Sequence, residues 1–267
     1  MAEAITENKA ITFTLNGRVV HAAPGETVLS VARREGIAIP ALCHHAAVTA
    51  YGACRLCLVE AFWGKRSKLV TSCIYTPWEN EVIETDSERV RRARRTVIEM
   101  LLARCPGVEL LRDLAREYSV ETLRFPVSAE AANERCILCG LCVRVCAEQI
   151  GQTALGYGYR GSERVVTTAF SEQANECIGC AACVQVCPTA ALHYEDTDGM
   201  RIFPELHTAM PLVACRVCGD YFATEKQLEK IRERFAVPEH LTEVCPRCRG
   251  TEFTRVLDDA LVTKSRV

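Results

Sequence analysis

Seventeen cysteines, and above all their spacing, constrain this chain more than any other feature. Sixteen fall into four groups of four. These are Cys43, Cys54, Cys57 and Cys73; Cys136, Cys139, Cys142 and Cys146; Cys177, Cys180, Cys183 and Cys187; and Cys215, Cys218, Cys245 and Cys248. Cys105 stands alone. Four thiolates are the ligand count of a tetrahedral zinc ion or of an iron–sulfur cluster. An odd total in a chain of 267 residues argues against a small secreted disulfide scaffold. The first ten residues carry Glu3, Glu7 and Lys9 and no apolar signal-peptide segment, and no run of apolar residues is long enough to span a bilayer. The expectation is a cytoplasmic protein with reduced, metal-bound thiols. With 32 basic and 34 acidic residues, the net charge of −2 gives no case for nucleic acid.

The segments between the cysteines suggest α+β modules. Ile11 to Leu15 alternates at period two, Asn16-Gly17 is a hairpin signal, and Arg18 to His21 returns. Thr27 can cap a helix that ends at Gly36. Strands are expected over 58–62, 69–74 and 81–85. Two strands, a helix, a ligand loop and more strands is the order of a β-grasp ferredoxin. From Ser87 to Arg104 the period is helical, with Val90, Ala93, Val97 and Leu101 on one face and Arg89, Arg91, Arg92, Arg94 and Arg95 over the rest. That basic surface reads as solvated, or as a docking face for an acidic partner subunit. A second helix is expected over 108–118, and Pro126, Pro204 and Pro211 mark boundaries.

The second and third cysteine groups share the form C-x2-C-x2-C-x3-C. Three close thiolates wrap one cubane, and in two-cluster ferredoxins the fourth ligates the other. Crossed ligation puts Cys136, Cys139, Cys142 and Cys187 on one [4Fe–4S] cluster, and Cys146, Cys177, Cys180 and Cys183 on the second. Gly140, Gly179, Ala181 and Ala182 let backbone N–H groups approach the sulfides. Ala147 stands where a proline often follows, whereas Pro188 keeps the pattern. The first group, C-x10-C-x2-C-x15-C, has small residues before a tight thiolate pair, as a [2Fe–2S] loop needs, but lacks the plant-type C-x4-C spacing.

Pro40-Ala-Leu-Cys43-His-His45, Gly52-Ala-Cys54-Arg-Leu-Cys57-Leu-Val-Glu60 and Cys73 resemble the N-terminal [2Fe–2S] domain of three related groups. These are the large iron–sulfur subunit of complex I, the diaphorase small subunit of NAD-reducing hydrogenases, and [FeFe] hydrogenases. The stretch from Cys136 through Gly156 and Gly161 to Cys177 resembles the paired-cubane domain of the same family. The resemblance spans roughly residues 10–192. It implies an electron relay between a flavin-bearing, NADH-oxidising subunit and a further redox site. Two departures stand out. The His/Cys-ligated cubane usually found between the domains has no motif here, only Cys105-Pro106, and Cys105 reads as a buried small hydrophobe or a free thiol. The hydrogen-activating domain of [FeFe] hydrogenases has no counterpart after Leu192.

The last group pairs Cys215-Arg-Val-Cys218 with Cys245-Pro-Arg-Cys248 across 26 residues. Such knuckles make a tetrahedral S4 site, for which zinc is favoured over a rubredoxin-type iron. The intervening helix, 224–235, is a candidate docking surface. Gly156-Tyr-Gly-Tyr-Arg-Gly161 matches a dinucleotide fingerprint, but it lies between cubane motifs and outside any βαβ pattern. His44 and His45 follow a ligand cysteine and either tune its cluster or face solvent. No nucleophile–base constellation is visible.

The sequence therefore predicts a β-grasp [2Fe–2S] domain over 10–87, a helical connector over 88–127, a 2×[4Fe–4S] ferredoxin-like domain over 128–200 and a four-cysteine zinc-ribbon or rubredoxin-like module over 208–257. The function expected is that of a non-catalytic iron–sulfur relay subunit in an NAD(P)-linked hydrogenase, formate dehydrogenase or electron-bifurcating complex. Its expected partners are an FMN/NADH-binding flavoprotein and another redox subunit. The alternatives are an iron–sulfur subunit of the succinate dehydrogenase or fumarate reductase type, and a free multi-cluster ferredoxin.

Overall fold

The computed structural model describes residues 10–127 and 134–250. The expected start of the cubane domain at 128 and the end of the last module at 257 lie outside the described residues. The chain forms two compact units, Met1–Gln149 with Val186–Ala191, and Ile150–Gln185 with Leu192–Val267.

In the first unit, β1 (Ile11–Leu15) and β2 (Arg18–Ala22) pair antiparallel with Leu15 opposite Arg18. The turn residues Asn16 (φ 49°) and Gly17 (φ 77°) are both left-handed, which a two-residue hairpin matching the strand twist requires. Asn16 also ties the turn to the end of the sheet, accepting the Thr85 N–H at 2.8 Å. Helix α1 (Val28–Arg34) follows, capped by the Thr27 hydroxyl, which accepts the Ser30 N–H. Next come β3 (Leu58–Trp63), β4 (Arg66–Thr71) and β5 (Val82–Glu84). The sheet order is β2-β1-β5-β3-β4, with β1 and β5 parallel and the other pairs antiparallel. Phe13, Leu15, Val20, Val28, Leu29, Val31, Val59 and Ile83 form the core between sheet and α1. Burial of those side chains contributes ~1.5–3 kcal/mol apiece. Strand β4 begins three residues before the expected start, because a tight turn at Gly64 (φ 59°) places Arg66 opposite Trp63. Its polar start, Arg66-Ser-Lys68, hid it from an apolar pattern.

Helix α2 (Glu88–Arg104) is capped by Ser87, and α3 (Glu109–Glu117) follows. The buried residues of α2 are Val90, Arg94, Ile98, Glu99 and Leu102, so the inward face is turned from the expected one. Ala93, Val97 and Leu101 are only half-buried, and Arg94, expected on the solvated face, is 2% exposed. A short helix α4 (Leu141–Arg144) then runs into a π-helical turn, Val145–Ile150.

In the second unit, β6 (Gly156–Gly158) and β7 (Val165–Thr167) make a small antiparallel hairpin, which is where the glycine fingerprint falls. Helix α5 (Ala182–Gln185) follows. Strands β8 (Glu195–Thr197), β9 (Met200–Phe203), β10 (Thr208–Ala214) and β11 (Tyr221–Thr224) build an antiparallel sheet in the order β11-β10-β9-β8. Helices α6 (Glu225–Phe235) and α7 (Glu239–Thr242) follow, and residues 246–250, the last described, are helical. Among the described residues no helix is long and apolar enough to cross a membrane.

Candidate metal centres

Sheet ends position the first thiol group. Cys57 precedes β3 and Cys73 follows β4, and the antiparallel pairing of Leu58 with Thr71 brings them side by side. Ser72 fastens the junction, donating to Cys57 O from its backbone at 3.0 Å and from its hydroxyl at 2.7 Å. Cys43 and Cys54 come from the loop between α1 and β3, where Gly52 (φ 69°) and Arg55 (φ 57°) turn the backbone inward. All four cysteines are buried. Cys54 N–H donates to Cys43 Sγ at 3.5 Å. Hydrogen bonds from Cys54 and Cys73 bring the Cys43 thiol down to about 2, and one from Cys73 brings Cys57 to about 6. The donors, Cys54 and Cys73, are pushed up by the same bonds and by burial. Four sulfurs close enough to exchange protons can all ionise only if a cation shares their charge.

Arg94 holds this loop from beneath. Its Nε donates to Leu56 O at 3.0 Å, Nη2 to Leu58 O at 2.8 Å and Nη1 to the Tyr118 hydroxyl at 3.0 Å. The carbonyls on both sides of Cys57 are thus satisfied by one buried guanidinium. His44 meets Arg33 Nη1 at 3.0 Å through Nδ1, and burial followed by the Arg33 charge holds its pKa below the usual histidine range. The exposed His45 accepts the Ala47 N–H.

In the second group, Leu138 (φ 54°) and Gly140 (φ 72°) are left-handed. The equivalent positions of the third group, Gly179 (φ 67°) and Ala181 (φ 58°), repeat that geometry, so both motifs curl their backbone the same way around the cysteines. Cys187 lies in the first unit with Cys136, Cys139, Cys142 and Cys146. It is near enough to Cys136 and Cys139 that its charge adds to the burial raising both thiols, Cys139 to about 11. Arg135 ties the two segments through Thr189 O at 3.3 Å, and Ala191 N–H donates to Cys187 Sγ at 3.2 Å. Cys177, Cys180 and Cys183 belong to the second unit, where Gly179 N–H donates to Cys177 Sγ at 3.4 Å.

Arg144 connects the first two thiol groups. One of its terminal nitrogens donates to Cys43 O at 2.8 Å and to Cys139 O at 3.4 Å, and the other donates to Thr49 O. Glu148 reinforces the seam, accepting from Thr49 N–H at 2.7 Å and from its hydroxyl at 2.8 Å. Arg144 Nε is buried without a hydrogen-bond partner. Buried donors are rarely left so, and a cation beside Cys43 and Cys139 fits the negative charge that thiolate-ligated clusters bring.

The four sulfurs of Cys215, Cys218, Cys245 and Cys248 lie within 4.8 Å of one another. Cys218 and Cys245 are 3.9 Å apart, against the ~3.8 Å edge of a tetrahedron with zinc–sulfur bonds of ~2.3 Å. Backbone N–H groups point at the sulfurs, from Cys245 to Cys215 at 3.2 Å and from Cys248 to Cys245 at 3.4 Å. Backbone amides of Cys245 first, and then of Cys218 and Val217, bring the Cys215 thiol down to about 6. Cys105 is fully buried at the C-terminal end of α2, and burial pushes its thiol up to about 12.

Comparison with known proteins covers the segments that carry the first three cysteine groups. Residues 8–88 match the family described as a 2Fe-2S iron-sulfur cluster binding domain, and residues 135–191 match the 4Fe-4S dicluster domain. A chain from the crystal structure of NAD+-reducing [NiFe]-hydrogenase in the H2-reduced state is 30% identical, with a TM-score of 0.57, over 73% of this chain and 87% of that one. The chain belongs to the iron–sulfur subunit family of NADH-quinone oxidoreductases and NAD-reducing hydrogenases. The mitochondrial NADH-ubiquinone oxidoreductase 78 kDa subunit of Candida albicans (strain SC5314) is 30% identical over 206 residues, 68% of this chain and 28% of that protein. NADP-reducing hydrogenase subunit HndD of Solidesulfovibrio fructosivorans is 31% identical over 210 residues, 68% of this chain and 36% of that protein. The chain thus spans about a third of the length of these curated relatives. Both family matches end by residue 191, before the four-thiol site.

Sequence reasoning missed Arg94 and Arg144. An arginine among five others on a helix, or between two ligand cysteines, carries no sign of its partners. The nearest signal was that Arg144 sits inside the cubane motif itself.

Proposed function

We propose that this chain is an electron-relay subunit of a multi-subunit NAD(P)-linked oxidoreductase, foremost a hydrogenase or a bifurcating complex. It would work in the cytoplasm between an FMN/NADH-binding flavoprotein and a further redox subunit. The observation that carries the reading is the Arg144 junction, where the backbones of Cys43 and Cys139 share one guanidinium nitrogen. Bound clusters would supply one-electron transfer. The protein's part is to ligate, bury and neutralise. Cys43, Cys54, Cys57 and Cys73 would hold a [2Fe–2S] cluster. Cys136, Cys139, Cys142 and Cys187 would hold one cubane, a set favoured by the electrostatic proximity of Cys187 to Cys136 and Cys139. Cys146, Cys177, Cys180 and Cys183 would hold the other. Cys215, Cys218, Cys245 and Cys248 would hold zinc, a closed site with a structural role. The similarity to subunits of NADH- and NAD-linked complexes supports the partner assignment. A tagged chain purified anaerobically from its native cells tests that assignment: a flavin-containing partner should co-purify, and a chain recovered alone would favour a free ferredoxin.

A further inference from the structure

The C-terminal thiol site and the loop of the third cysteine group are joined by a single hairpin. β10 ends at Ala214, directly before Cys215, and β11 starts at Tyr221, soon after Cys218. Cys215 N–H donates to Asp220 O at 2.9 Å, so the first knuckle is itself the hairpin turn. The opposite end of the hairpin grips the loop. Thr224 Oγ1 donates to Ile178 O while accepting the Gln227 N–H at 3.2 Å, so one hydroxyl both caps α6 and fastens the loop. Thr208 Oγ1 accepts the Ala174 N–H at 3.2 Å, and Lys226 Nζ donates to Asn175 O at 2.9 Å. Arg201, aligned by Asp196 at 2.8 and 2.7 Å, donates to Gly179 O at 3.0 Å. At Gly179 a Cβ would fall 2.5 Å from Thr224 Cγ2 and 3.1 Å from Met210 Sδ, so only glycine admits this approach.

The knuckle end, by contrast, has almost no core. Its cluster of buried residues is Cys215, Val244 and Cys245, with Phe222 and Cys248 packed around them. So few apolar contacts do not fix a chain segment without a staple. A metal–thiolate bond set supplies one, because binding free energy at such a site is folding free energy.

We propose that the metal held by Cys215, Cys218, Cys245 and Cys248 acts as a clasp on the Cys177–Cys183 loop: by fixing the knuckle it seats Thr224 and Met210 over Gly179 and so secures the cubane that this loop ligates. The clasp rests on the zinc and cubane assignments above. The test uses the full chain, cluster-loaded under anaerobic conditions, as wild type, as the Cys218→Ser/Cys248→Ser double variant and as Thr224→Val. Elemental analysis reads the metal; EPR intensity and the rate of bleaching in air read the clusters. The double variant should lose its zinc and about half of its [4Fe–4S] signal while keeping the [2Fe–2S] signal. Thr224→Val should keep its zinc yet bleach at least about fivefold faster, the factor for losing the bond to Ile178 O alone, with the α6 cap lost beside it. A double variant that loses zinc but retains both cubanes at the wild-type bleaching rate overturns the clasp. Wild type lacking any metal beyond its cluster iron overturns the zinc assignment instead. Thr224→Val indistinguishable from wild type overturns transmission through that hydroxyl.

Discussion

Replacing Arg94 with methionine isolates the role of the buried guanidinium under the [2Fe–2S] loop. Methionine fills a similar volume with flexible apolar atoms, so packing changes little. What goes is the donor set for Leu56 O and Leu58 O, at 3.0 and 2.8 Å, and the Tyr118 hydroxyl at 3.0 Å. Hydrogen bonds from a charged donor are worth ~1.5–3 kcal/mol each, and a buried carbonyl left bare costs ~1–3 kcal/mol. Loss of the desolvated charge, with Asp86 4.0 Å from Nη1, offsets part of this. A net cost of ~3 kcal/mol remains, which corresponds to roughly a hundredfold rise in local opening. Hydrogen exchange on the cluster-loaded chain should show that rise in peptides covering 54–60, with the β1–β2 hairpin much less affected. Arg94→Lys, which reaches fewer of the three acceptors, should fall between. A change below threefold in 54–60 would refute the assignment of Arg94 as the anchor of that loop.

Arg144→Gln removes a positive charge from between Cys43 and Cys139. Redox titration followed by EPR should move the [2Fe–2S] and one cubane midpoint downward together, with iron content unchanged; Arg144→Lys should restore most of the shift. Cys105→Ala should keep the wild-type iron and sulfide content, because burial holds that thiol protonated; loss of iron in that variant would make Cys105 a ligand. Arg124 holds the Glu99 carboxyl below the usual carboxylate range, through a hydrogen bond of 2.8 Å. A carboxyl with a lowered folded pKa stabilises above its unfolded value of ~4.3 and ceases to as pH falls through the folded value. Glu99→Gln should therefore raise hydrogen exchange in residues 96–104 at pH 7, with the ratio to wild type approaching one only as pH falls through the lowered folded value of Glu99.

Ligand spacing made the sites legible. The cysteine groups needed no tertiary information, since three thiols within seven residues have few other uses, and Asn16-Gly17 and Thr27 announced a turn and a cap through local chemistry. What sequence could not show is what depends on partners distant along the chain. Arg94 reaches back 38 residues to Leu56, and Arg144 reaches 101 to Cys43. On a helical wheel both look like solvated charge. The strands β8 to β10 were also silent, because Glu195-Asp-Thr197 is polar and exposed and Pro211 reads as a break. Pro211 is tolerated in β10 opposite Met200, near the point where the β9 pairing ends. That sheet is nonetheless what joins the four-thiol site to the Cys177–Cys183 loop.

Iron and acid-labile sulfide analysis of the anaerobically purified chain, read beside EPR before and after dithionite, tests the central claim most directly. Three clusters predict about ten irons and ten sulfides per chain, with one [2Fe–2S] and two interacting [4Fe–4S] signals on reduction. Protein that carries zinc at all four thiol groups, holds no sulfide and stays EPR-silent would contradict it.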